Sequence, residues 1–302
     1  MLKIKAMNGW RLFWLVSLPM CAAMVVEMLG TDLRTAPGVS EMIGFSVRWA
    51  VPFIFLVVAT SPAYTLFPCS FTAWLLRNRR YIGLCFAVAM GWQGLFIFIM
   101  SNFHRGYYYD EIYYLRDELE GSTGYIFLVA MVVTSFRFGR KYFSNRQWTA
   151  IHRSGVYFLW AYPFSVYWWA LYYYGNPTSI DHVFYWTGFL AFAMRIAAWG
   201  KRRHVAAANA GASASFALRP VAAAVVALGL VASGTGAYWQ EPVTTFLTTP
   251  SWSANLELWL PFWPFEPFLP LLLIGVGTFL FTVSTEQPAA DGRRASLTPG
   301  GP

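Results

Sequence analysis

Polar side chains are scarce enough in this sequence that each one set inside an apolar run asks for a partner or a purpose. His152 is the foremost: it stands near the start of the fifth such run, after Trp148 and before Arg153. An imidazole there serves either as a hydrogen-bonding packing group between helices or as a ligand. The other histidines, His104, His182 and His204, fall in connections or at the ends of runs. Glu27 and Arg48 lie at similar depth on two successive runs; a structural ion pair is expected, with Arg48 contacting another group as the alternative. Arg195 is close enough to the end of its run to snorkel beside Lys201. No Asp or Glu stands at the middle of a run, which argues against a proton-coupled transporter. Cys21, Cys69 and Cys85 form no CxxC or other metal-ligand spacing, and no disulfide is expected. No nucleophile, acid–base pair or metal cluster emerges, so no catalytic residue is assigned.

The elements that must position these groups follow from composition. Of 302 residues, 57% are hydrophobic, 19% aromatic and only 12% charged, against about 25% charged in an average soluble domain. So few charges cannot cover a water-soluble protein of this length, and lipid must cover it instead. The formal charge of +8 does not point to nucleic acid, because the cations fall in short clusters between apolar runs. Eight segments reach the roughly 20 apolar residues that a crossing of about 30 Å requires: 11–30, 44–67, 81–102, 122–139, 149–174, 182–199, 219–239 and 267–285. The fold class predicted is therefore all-α, a polytopic membrane bundle of about eight transmembrane helices in the inner (plasma) membrane. With the N-terminus cytoplasmic, the inner connections carry Lys3, Lys5 and Arg11; Arg77, Arg79 and Arg80; Arg137, Arg140, Lys141, Arg146 and Arg153; Lys201, Arg202, Arg203 and Arg219; and Arg293 and Arg294. Only Arg34, Arg105 and Arg116 fall outside. One frame thus satisfies every connection, with both ends cytoplasmic. The first run is read as an uncleaved helix, since no small-x-small site follows it.

The connections divide the chain into an N-terminal helix and outer loop (1–43), a core (44–200), a cytoplasmic linker (201–218), a helix pair (219–285) and a tail (286–302). The outer segment 103–121 is acidic and rich in tyrosine, and Ile112, Leu115 and Leu119 recur at helical spacing, which predicts a short helix at the interface. Its carboxylates are read as a solvated face above an aromatic belt, with cation binding as the alternative. Ala206 to Ala217 is a low-complexity stretch, and the polar tail reads as disordered. Gly229 and Ser233 have small-xxx-small spacing that permits close helix contact. No GxGxxG after a strand and no Walker loop occurs, so this chain has no flavin or nicotinamide site.

From about Ser46 to Arg195 the chain resembles the ferric reductase-like transmembrane domain, nearest the haem-binding membrane subunit of the bacterial methionine sulfoxide reductase system. The resemblance is carried by Arg48 with Thr60-Ser61-Pro62, by Arg79-Arg80-Tyr81-Ile82-Gly83-Leu84, by Thr134-Ser135, by Trp148-Thr149-Ala150-Ile151-His152-Arg153-Ser154-Gly155-Val156-Tyr157, and by Arg195. It implies a b-type haem between helices, with His152 as an iron ligand and Arg79, Arg80 and Arg153 as propionate contacts. It also implies electron transfer across the bilayer, with electrons from a partner protein or quinol. The chain departs from the pattern: family histidines on helix three correspond to Met90 or Gln93, and the second histidine of helix five falls at Pro163-Phe164-Ser165-Val166. Met90 can replace an imidazole, since His/Met ligation exists; otherwise it is apolar filling, while Gln93 suits an interhelical hydrogen bond. The alternative is a descendant that has lost the haem and acts as a structural or assembly partner in a membrane complex, its surroundings membrane lipid.

Overall fold

The computed structural model describes residues 7–210, 213–214 and 218–285. Lys3, Lys5, part of the Ala/Ser/Gly linker, Arg293, Arg294 and the polar tail lie outside the described residues.

The chain is a bundle of helices: α1 (Trp10–Gly30), α2 (Ala36–Leu66), α3 (Ser70–Phe103), the single turn α4 (Arg105–Tyr107), α5 (Leu115–Thr134), α6 (Arg137–Arg140), α7 (Asn145–Tyr172), α8 (Ser179–Asn209), α9 (Arg219–Gly234), α10 (Gly236–Thr248), α11 (Ser253–Trp259) and α12 (Leu269–Phe281). A two-residue antiparallel pairing joins Ser213–Ala214 to Ser284–Thr285. Local chemistry sets the long helices' starts. The Thr35 hydroxyl accepts from Gly38 N at α2, and Ser144 with Gln147 and Thr178 with Asp181 form capping boxes at α7 and α8.

The runs 11–30, 44–67, 81–102, 149–174 and 182–199 fall on α1, α2, α3, α7 and α8, the run 122–139 on α5 and α6, and the run 267–285 chiefly on the 13-residue α12. α1, α2 and α3 are each long and apolar enough to cross a membrane, and α9 with α10 makes a fourth such unit bent by 99°. α5, α7 and α8 have 20, 28 and 31 residues, but the carboxylates of α5 and the Tyr, Trp and cations of α7 and α8 dilute their hydropathy. The run 219–239 is not one straight helix. It ends at Gly234, and Trp239 Nε1 folds back to donate to Ala232 O at 2.9 Å. α8 continues to Asn209, so the beginning of the expected linker is helical.

α2 runs through the centre, packed on α3, α7 and α8. Trp168, Tyr185, Phe96 and Phe164 are the largest fully buried side chains. α9 and α12 meet closely. A Cβ at Gly229 would come within 2.7 Å of Pro270 O, and one at Gly277 within 2.8 Å of Ala222 O, so backbone touches backbone there. α1 docks on α3, where Ser17 Oγ donates to Cys85 Sγ at 3.6 Å and Trp92 Nε1 to Cys21 Sγ at 3.4 Å. All three cysteines are free.

Candidate functional site: a basic cavity

The bundle formed by α2, α3, α5 and α7 is hollow at both ends. At the end where α7 begins lies a cavity of about 570 Å³. α3 contributes Arg79 and Arg80, α6 Arg140, α7 His152 and Arg153, and α8 Arg195. The capping box at Ser144 starts α7 early enough to place His152 two turns inside it. On α8, Gly188, Phe192 and Arg195 share one helical face, and that face turns toward α7: Trp160 Nε1 donates to Gly188 O at 3.1 Å, and Trp160 stacks on Phe192 at 4.3 Å. Arg195 therefore points into the protein. Its Nε donates to Tyr157 Oη at 2.8 Å, its Nη1 donates to Val58 O at 3.2 Å, and the guanidinium lies 4.6 Å from the Tyr157 ring. The expected snorkelling beside Lys201 does not occur; Lys201 Nζ instead donates to Thr65 O.

The arginines are held by rings and neutral acceptors. Arg80 lies over Trp10, Tyr81 and Phe136, and Arg140 over Trp148 while donating to Phe143 O and Asn145 Oδ1. No described carboxylate lines the cavity. Among the described residues every ion pair involves Arg116, at the opposite end. Five arginines thus line one cavity with no described carboxylate in it, Arg80 and Arg153 among them being exposed.

His152 joins two helices. Thr134, only 2% exposed, donates its hydroxyl proton to Ala130 O at 2.7 Å, so its oxygen accepts from His152 Nε2–H at 2.9 Å. Trp148 stacks on the imidazole at 4.3 Å and donates Nε1 to Thr134 O at 3.2 Å. One turn along, a Cβ at Gly155 would lie 2.5 Å from Met131 Sδ. The same seam of α5 and α7 therefore uses His152 as its polar clasp.

The residues expected around iron separate into two groups. His152, Arg79, Arg80 and Arg153 come together in the basic cavity. Met90 does not: it lines a second cavity of about 800 Å³ at the other end, together with Gln93. There Tyr125 Oη lies 3.1 Å from both Met90 O and Gln93 Oε1, the interhelical hydrogen bonding that suits Gln93. The Thr134 hydrogen bond uses one imidazole nitrogen and leaves Nδ1 as the other. Because Met90 opens into the other cavity, the donor set does not fit a two-ligand b haem on His152 and Met90.

Two further expectations change. Glu27 and Arg48 make no ion pair, because α1 docks chiefly on α3 while Arg48 opens into the second cavity with Tyr167 and Asp181. The interfacial helix is broken into α4, a π turn over Tyr108–Ile112, and the start of α5, which takes Leu115 and Leu119. Two carboxylates of this region accept hydrogen bonds: Tyr108 Oη donates to Glu118 at 2.6 Å, and Phe262 N donates to the buried Glu120 at 2.8 Å. Burial and the Glu118 carboxylate hold the Tyr108 phenol well above its usual range.

Arg140, read in the sequence as a topology cation, and Tyr157, read there as the end of the Trp148–Tyr157 stretch, join the site without having been assigned a role in it. No family model matches the chain, and no curated protein or solved structure does.

Proposed function

We propose that this chain is a multi-pass inner-membrane protein whose basic cavity binds the headgroup of a phosphate-bearing amphiphile from the cytoplasmic leaflet. The observation that carries the reading is the set of five arginines around one cavity with no described carboxylate. A cation set within an apolar run, as Arg195 is, is costly, and an anion offsets that cost. Guanidinium groups match phosphate oxygens in a fixed fork geometry.

A second feature names the amphiphile. Arg153 and Arg195 also line a groove of about 810 Å³ between α7, α8 and α12, which is otherwise walled by Trp160, Phe192, Phe268 and Leu272. A headgroup between the two arginines would leave its tail in that groove. The reading agrees with the haem-free branch of the family resemblance and uses no electron-transfer step.

Eight crossings with cytoplasmic termini are part of the proposal, supported by which connections meet. Asn78 Oδ1 accepts from Gly9 N, Lys201 reaches Thr65 O, and Arg203 Nε donates to Thr282 Oγ1, all among connections assigned to the inside. Phe262 N reaches Glu120, and His104 Nε2 lies 3.3 Å from Leu33 O, all among connections assigned to the outside. Cys69 is the exposed thiol, and hydrogen bonds from Thr72 lower its pKa. A membrane-impermeant maleimide should label it in inverted vesicles and leave it unlabelled in right-side-out ones.

Binding is tested by thermal unfolding of the purified protein. Phosphatidic acid should raise Tm, while phosphatidylcholine and inorganic phosphate should not. Equal stabilisation by inorganic phosphate would make the free anion the ligand. Equal stabilisation by phosphatidylcholine would refute headgroup recognition.

A further inference from the structure

We propose that the second cavity is a binding site for an organic ammonium ion, a protonated amine carried on an apolar body. The site is separate from the basic cavity and goes beyond headgroup binding, so either can fail without the other.

The cavity of about 800 Å³ has the size of a small-molecule site, and its lining is graded from one end to the other. Its floor is apolar: Phe86 and Leu159, which also line the basic cavity, with Val51, Met90 and Phe158. Its rim is acidic, because α5 and α8 both begin there. α5 brings Asp117, Glu118 and Glu120, and α8 brings Asp181.

The charges specify a cation. Arg48 is the one cation of the lining, and Arg116 reaches Asp117 and Glu120 from beside it. The four carboxylates outnumber these two arginines, and would do so even with Glu120 protonated. Hydrogen bonds from Tyr108, Phe262 N and Thr178 N orient carboxylates and leave their charge in place. Such a rim attracts positive charge.

The wall selects an organic cation over a metal ion. Among the described residues no three His, Cys, Asp or Glu side chains are grouped to hold a metal. Tyrosines stand among the carboxylates instead. Asp117, Glu118 and Glu120 act electrostatically on Tyr162, and Asp181 acts on Tyr167. Among the described residues no arginine or lysine lies over the rings of Tyr108, Tyr113, Tyr162 or Tyr167. Open aromatic faces beside carboxylates are what a bulky ammonium recognises.

Tyr167 is an independent sign of a ligand. It is only 8% exposed, and among the described residues its hydroxyl has no hydrogen-bond partner, although its oxygen is not one of the sealed polar atoms. The surface that the oxygen keeps opens on the cavity that Tyr167 lines. Buried hydroxyls are normally satisfied. An ammonium N–H donated to Tyr167 Oη would satisfy this one and lay the apolar body over the floor.

The test is isothermal titration of the full-length protein in phosphatidylcholine nanodiscs, with heats from empty nanodiscs subtracted. The probes are 2-phenylethylamine, 2-phenylethanol and 3-phenylpropionate. The amine should bind about tenfold or more tightly than the alcohol or the carboxylate. Tyr167→Phe, which keeps the ring, should weaken the amine about tenfold, and Glu118→Gln about threefold. Arg48→Gln should tighten it about threefold, a gain that misfolding does not produce. None of these three residues lines the basic cavity, so stabilisation by phosphatidic acid should stay as in wild type. The proposal is overturned if none of the probes binds, or if the alcohol or the carboxylate binds as tightly as the amine. It is equally overturned if Tyr167→Phe and Arg48→Gln both leave amine affinity unchanged.

Discussion

The two ends of the hollow bundle hold similar numbers of ionisable groups and treat them in opposite ways. At one end Arg116 lies within reach of Asp117, Glu120 and Glu257 and donates to Trp263 O, while Glu118 and Glu120 accept hydrogen bonds. At the end holding His152, Arg79, Arg80, Arg140, Arg153 and Arg195 line one cavity, where Arg80, Arg140 and Arg195 meet rings and carbonyls. Internally compensated charge holds a structure together, whereas charge left uncompensated in a roomy cavity favours an anionic ligand. On the function proposed above, the Arg116 cluster is a clamp and the arginine cavity a receptor.

The largest expected effect breaks the receptor. Arg79→Gln with Arg195→Gln removes two charge-assisted contacts, each of about 1.5–3 kcal/mol, and should weaken phosphatidic acid binding about a hundredfold or more. Tm without lipid should fall little, because the repulsion relieved between Arg79 and Arg195 offsets the loss of the Arg195 bonds to Tyr157 and Val58 O. A loss of Tm without a loss of binding would make these arginines structural.

The next effect breaks the clamp. Glu120→Ala strands Phe262 N and removes a partner of Arg116, and should destabilise the protein by about 2 kcal/mol while leaving lipid affinity unchanged. Burial pushes the Glu120 carboxyl above the usual glutamate range. The folded state therefore holds this proton more tightly than the unfolded state does. The stability it contributes is complete below the ordinary glutamate value and declines as pH rises through the raised one. Thermal scans across that window should show the decline in wild type and a flatter profile in Glu120→Gln.

The smallest effect concerns the clasp between α5 and α7. His152→Ala should cost about 1 kcal/mol by leaving Thr134 and Trp148 without their partner, and His152→Gln, which can still donate to Thr134, should recover part of it. Neither wild type nor variant should show a Soret band with redox-dependent visible bands. Such bands in wild type, lost in His152→Ala, would restore the iron ligand.

Much of the bundle was legible because a bilayer imposes one simple demand, about 20 apolar residues for each crossing. Five of the eight runs fall on single long helices, α1, α2, α3, α7 and α8. The break at Gly234 escaped because Gly234-Thr235-Gly236 sits inside a stretch that is apolar on both sides, and hydropathy does not register direction. At the site, the residue types around His152 were legible and their use was not. Sequence proximity placed Arg153 near the imidazole and the resemblance placed Arg79 there, but the hydrogen bond of His152 goes to Thr134, eighteen residues away on another helix. Arg195 was misread for a similar reason. Its distance from the helix end suited snorkelling, while its shared face with Gly188 and Phe192 turns it inward. The Glu27–Arg48 pair was inferred from depth alone, and depth leaves the azimuth of each helix free.

The most direct measurement is native mass spectrometry of the purified protein released from detergent in the presence of equal phosphatidic acid and phosphatidylcholine. Wild type should retain one phosphatidic acid in preference to phosphatidylcholine, and Arg79→Gln with Arg195→Gln should lose that preference. Equal retention of the two lipids by wild type, or an unchanged preference in the double variant, would contradict the assignment of the basic cavity as a headgroup site.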